Sequence, residues 1–120
     1  MALNIVGGSV SPSTALSLNA QTGTTYTFVL TDANNTLVTA SNASAQTYTI
    51  PPNSSVAYPV GAQLNIIQIG AGQVSFARGS GVTIASNGAT ATAPKLRVQY
   101  SSATAIKVDT DKWYVVGDIA

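Results

Sequence analysis

Few side chains here could do chemistry. The carboxylates are Asp32, Asp109, Asp111 and Asp118, and the chain has no Glu, His or Cys. A Ser–His or Cys–His nucleophile needs an imidazole base, so that class of enzyme has no candidate. Zinc centres draw mainly on Cys and His, so no metal site of that kind is expected. Glycoside hydrolysis needs two carboxyl groups, one of raised pKa. Asp109 and Asp111 flank a single polar turn, Asp109-Thr110-Asp111, where the ordinary role of a short carboxylate is to bond backbone amides. Oxygen ligands on such a turn could also be recruited by a weak calcium site, but the loop has no further acid. The expectation is a non-enzymatic protein with no cofactor, no metal and no catalytic residue.

Other candidates fare similarly. Gly70-Ala71-Gly72 and Gly79-Ser80-Gly81 are not nucleotide motifs. The third glycine of that fingerprint is replaced by Ser75 and Ile84, and no helix follows. Lys95, Arg97 and Lys107 could line one sheet face, but three charges without an aromatic platform make a thin phosphate site. A solvated or partner-facing sheet surface is the simpler reading. Asn34, Asn42 and Asn53 each open an Asn-x-Ser/Thr string and read better as turn asparagines than as glycosylation sites. The tyrosines at 26, 48, 58, 100 and 114 are spread one per strand, which suits core or interface positions better than a sugar platform.

The elements that position these residues read as strands. The last quarter of the chain sets the pattern. Leu96, Val98 and Tyr100 alternate with Lys95, Arg97 and Gln99; Ile106 and Val108 alternate with Ala105 and Lys107. Period two means strands with one apolar and one wet face. Trp113, the single Trp, lies in the last strand and would plug a small core. Tyr26, Phe28 and Leu30 begin another strand. Further strands are read at 36–39, 48–50, 63–69, 73–77 and 82–85, with Ile66 in a central one. Glycines before the strands at 73 and 82 suit tight corners. Two such units are fewer than a solenoid needs. Strands at short intervals without helical periodicity predict an all-β fold: an antiparallel β-sandwich or barrel, jelly-roll-like, with Phe28, Ile66, Leu96, Val98 and Trp113 in its core.

The chain has 120 residues, one domain by size. Charged residues make up 8% of it, against about 25% in ordinary soluble domains. Hydrophobic content is an ordinary 45%, so the surface is rich in neutral polar side chains. Such a surface has little charge to keep copies apart, and interface cores are depleted in charge. Surface covered in an assembly is the favoured explanation, a neutral monomer the plainer one. The net charge of +1 steers toward neither nucleic acid nor membrane. Met1 to Gly8 lacks the basic start of a targeting signal, and no stretch has the length of a membrane helix. Synthesis in a cytosol, as a soluble protein, is expected. Residues 1–23 are too broken for a helix and too apolar for a plain linker. They read as an extended N-terminal arm, carrying Leu3, Ile5, Val6 and Val10, that becomes ordered on a partner; residues 24–120 form the domain.

Four strings carry a resemblance. They are Thr24-Thr25-Tyr26-Thr27-Phe28-Val29-Leu30-Thr31-Asp32-Ala33, Thr49-Ile50-Pro51-Pro52-Asn53, Tyr58-Pro59-Val60-Gly61, and the run from Lys95-Leu96-Arg97 through Trp113 to Gly117-Asp118. Together they resemble a β-rich domain of tailed-phage virion structural proteins, found in capsid decoration (cement), fibre and tail-associated proteins. The resemblance spans 24–120. It implies a place in the virion, and the short chain suits the capsid surface. The implied function is a cement protein that binds and stabilises the capsid, with the major capsid protein and its own copies, as a homotrimer, for partners. The alternative is a tail or head fibre component that attaches to a host-surface glycan; a free carbohydrate-binding module is third.

Overall fold

The computed structural model of the protein describes residues 15–120, and these are almost wholly β. The strands in chain order are β1 Ser17–Gln21, β2 Thr25–Thr27, β3 Thr36–Ala40, β4 Gln46–Ile50, β5 Gln63–Gln68, β6 Val74–Arg78, β7 Thr83–Ala85, β8 Ser102–Asp109 and β9 Lys112–Gly117. One 3-10 turn, Leu30–Ala33, is the only helical element among the described residues.

Two sheets result. One runs β1-β3-β5-β8-β9-β7, the other β2-β4-β6. From β1 to β6 the chain changes sheet at every connection. Each strand therefore lies beside the strand two places earlier, parallel to it. The all-β expectation stands, but the antiparallel arrangement does not. Among the described residues, antiparallel pairing between strands occurs only at β5–β8 and β8–β9, while β7–β9 is parallel. The reason lies in the links. A parallel neighbour in the same sheet needs a long crossover. Here the crossover is the intervening strand of the other sheet, so a link as short as 22–24 turns a corner instead of closing a hairpin.

The two sheets bury one apolar cluster. In the smaller sheet Tyr26, Tyr48 and Phe76 are register partners, and Phe28 packs on them. Ring centroids lie 5.5 Å apart for Tyr26–Tyr48, 5.8 Å for Phe28–Tyr48 and 6.4 Å for Phe28–Phe76. The larger sheet contributes Val38, Leu64, Ile66, Ala103, Ala105 and Val115. Trp113 packs edge-on against Tyr58, centroids 5.3 Å apart. Phe28, Ile66, Leu96 and Trp113 are all buried.

Val98 is not; it is 48% exposed. The strand expected over 95–100 is reduced to single bridges, Ser75 with Lys95 and Leu96 with Ile119. Beyond them the chain turns. The Ser101 amide donates to the Val98 carbonyl (3.0 Å), the Val98 amide donates to the Ser101 hydroxyl (3.1 Å), and Tyr100 takes φ of +71°. That local bonding breaks the period-two pattern and turns Val98 outward.

Gly70 and Gly72 serve close packing, not positive φ. A Cβ on Gly72 would overlap the Ser44 carbonyl, and one on Gly70 the Asn42 backbone. The 70–72 corner thus stacks directly on the 41–44 corner, with the Gly72 amide donating to the Asn42 carbonyl at 2.8 Å. Gly81, at φ +80°, is a turn glycine of the expected kind.

Candidate interaction surface

The strands of the larger sheet contain three charged residues, Lys107, Asp109 and Lys112. Lys107 points inward, and Asp109 and Lys112 are register partners at one end. The outward face is otherwise neutral. One register row is Leu18, Leu37, Asn65, Thr104 and Val116. A second is Gln63, Ile106, Tyr114 and Ala85. Leu18 is 70% exposed, Val116 51% and Tyr114 44%. Thr104 donates to Asn65 Oδ1 at 2.7 Å within the face, and the Lys112 ammonium lies 5.6 Å from the Tyr114 ring centroid at its rim.

Among the described residues the face runs out to the β1 edge. β1 ends the larger sheet and β2 the smaller, and neither contains a charge. Edge strands are usually blunted by charge, proline or bulges. Here a buried carboxylate ties the two edges together. Asp32 accepts from the Asn19 side chain of β1 (2.8 Å), the Tyr26 hydroxyl of β2 (2.7 Å) and the Val29 amide (2.9 Å). Burial, then the hydrogen bond to Asp32 and its charge, pushes the Tyr26 phenol up to about 12, so it remains a donor. Three donors answer the cost of burying the carboxylate. β1 lies within 1–23, so the stretch read as an arm enters the sheet at Ser17–Gln21. Leu3, Ile5, Val6 and Val10 lie outside the described residues.

The basic residues form no stripe. Lys95 is exposed beside β6. Arg97 grips Asp118 with two bonds, Nε to Oδ1 at 2.7 Å and Nη2 to Oδ2 at 3.0 Å. The Ser101 hydroxyl adds a bond to Oδ2 at 2.6 Å. Arg97 first, then Ser101, holds the Asp118 carboxyl below its usual range. Lys107 is 2% exposed on the core side of β8 with Ala103 and Ala105, while Ile106 and Val108 face outward, the reverse of the expected facing. Its ammonium donates to Asn53 Oδ1 at 2.6 Å and the Tyr58 carbonyl at 2.7 Å.

The two turn aspartates have separate partners. Asp109 accepts from the Thr110 amide at 2.8 Å, and Asp111 from the Asn53 amide at 2.7 Å. Among the described residues no group of three or more Asp, Glu, His or Cys is placed to hold a metal ion. The Lys107–Asn53–Asp111 cluster went unread in the sequence. Its signal was the hairpin register: Trp113 faces inward, and directly opposed side chains share a face, so Lys107 must face inward too.

No helix among the described residues is long and apolar enough to cross a membrane. The chain matches no family model, and no curated protein is similar to it.

Proposed function

We propose that this protein is a non-enzymatic structural component of a tailed-phage virion, a capsid decoration protein that coats and stabilises the shell. The observation that carries the reading is the neutral outward face of the six-stranded sheet with its uncharged β1 edge. Interface cores are depleted in charge, and an unblunted edge is a template for a further strand. The resemblance over 24–120 supplies the setting, including the homotrimer. In this reading the two sheets act as a sandwich-like body. The segment before β1 is the arm, and Leu3, Ile5, Val6 and Val10 contact the major capsid protein by strand addition. Ordering such a segment costs about 1–2 kcal/mol per residue, so a partner must supply the contacts.

The test pairs thermal unfolding with co-sedimentation on undecorated shells of the encoding phage, for the full chain and for a variant lacking residues 1–8. Unchanged melting with strongly weakened attachment is expected. Normal attachment without the tip would remove the arm from the account. A collapsed melting temperature would place the tip in the domain or oligomer core.

A further inference from the structure

We propose that Lys107 and Asn53 join spontaneously in an intramolecular isopeptide bond, a covalent brace between β8 and the loop that follows β4. The geometry comes first. The Lys107 nitrogen lies 2.6 Å from Asn53 Oδ1, on a side chain only 2% exposed. Its two acceptors are neutral carbonyl oxygens, and it forms no ion pair among the described residues. A buried ammonium without a carboxylate is a costly arrangement. Amide formation removes it.

The reaction balances without a co-reactant. Lys107 first passes one ammonium proton along its hydrogen bond to Asn53 Oδ1; the neutral amine then attacks Asn53 Cγ, and the bond from Cγ to Nδ2 breaks. Two protons of the ammonium move to the departing nitrogen, which leaves as ammonium ion. The buried positive charge is thereby expelled to solvent. The new amide keeps one N–H, and the Tyr58 carbonyl, already 2.7 Å from that nitrogen, is there to accept it. Holding the reacting groups in contact converts a bimolecular step into a unimolecular one. Asp111 is the positioning residue: it bonds the Asn53 main-chain amide at 2.7 Å and fixes the loop over Lys107. The indole of Trp113, opposite Lys107 across the hairpin, and the Tyr58 ring packed on it wall the site.

The decisive measurement is the intact mass of the purified, denatured full chain, followed by a tryptic map. Because Arg78 is the first basic residue, the brace would appear as residues 1–78 joined to 98–112, with cleavage blocked at Lys107. The expected result is a mass lower by one ammonia, located in that joined peptide and absent from Lys107→Arg and Asn53→Ala. Asp111→Ala should slow the mass loss, followed in time after synthesis, more than it lowers melting; Asp111→Asn, which can still accept the amide, should restore the rate. Full sequence mass with free peptides would overturn the proposal. So would an ammonia loss located in 79–95, where Asn87-Gly88 can cyclise to a succinimide. The wild-type result does not depend on whether any variant folds.

Discussion

Lys107 and Trp113 are direct partners across the β8–β9 hairpin, and both are buried, at 2% and 1% exposure. A cation and the largest apolar side chain thus share one patch of core. The indole packs in a T-shaped pair with Tyr58, whose carbonyl accepts from Lys107 and whose hydroxyl donates to the Val29 carbonyl at 2.8 Å. Through Tyr58 this corner links the hairpin to the segment between β2 and the 3-10 turn.

Trp113→Ala is accordingly expected to destabilise the fold by about 3–5 kcal/mol, the usual cost of truncating a core aromatic. Tyr114→Ala, on the opposite face, should leave unfolding nearly unchanged and weaken self-association. Chemical denaturation of both variants, with light scattering on Tyr114→Ala, checks the pair. Equal unfolding of Trp113→Ala and parent would contradict the facing of β9.

Much of this was legible in the chain itself. Alternation located β3, β4, β5 and β6, and the polar turn at 109–111 located the β8–β9 hairpin. What failed has two physical causes. Parallel and antiparallel strands share one side-chain period, so alternation could not reveal that each link turns a corner into the other sheet. And side-chain size misled at β8, where small Ala103 and Ala105 face inward between large neighbours, Leu64 and Val115 beside Ala105 and Ile66 beside Ala103. Ile106 and Val108 fit the outer face instead. Val98 was lost to the hydroxyl of Ser101, a local bond that no periodicity reports.

The stacked corners give a backbone prediction. Gly72→Ala places a methyl group against the Ser44 carbonyl, with backbone on both sides. Overpacking of this kind costs about 1–3 kcal/mol or more. Gly61→Ala meets no crowding, and only its φ of +93° opposes it. Urea unfolding should show the larger loss for Gly72→Ala. The opposite order would show that the 41–44 and 70–72 corners do not touch.

Alkali should unfold the protein through its tyrosines. Burial pushes the Tyr48 phenol, and burial with Asp32 the Tyr26 phenol, from 10.0 to about 12; burial pushes Tyr58 up as well. Between those values the folded state keeps protons that the unfolded state releases, so stability held below pH 10 falls as pH rises toward 12. The melting temperature should drop steeply across that interval. Tyr26→Phe should flatten part of the slope. A melting temperature independent of pH there would mean that these phenols are not buried.

Shell coating by the neutral sheet face and the arm is the proposed role. Its most direct measurement is the number of copies per particle, by quantitative mass spectrometry of purified virions against the major capsid protein. High occupancy is expected, with copies scaling with the capsid lattice and lost together when shells are stripped. A few copies per particle, confined to one vertex or to the tail, would contradict it and favour the fibre reading.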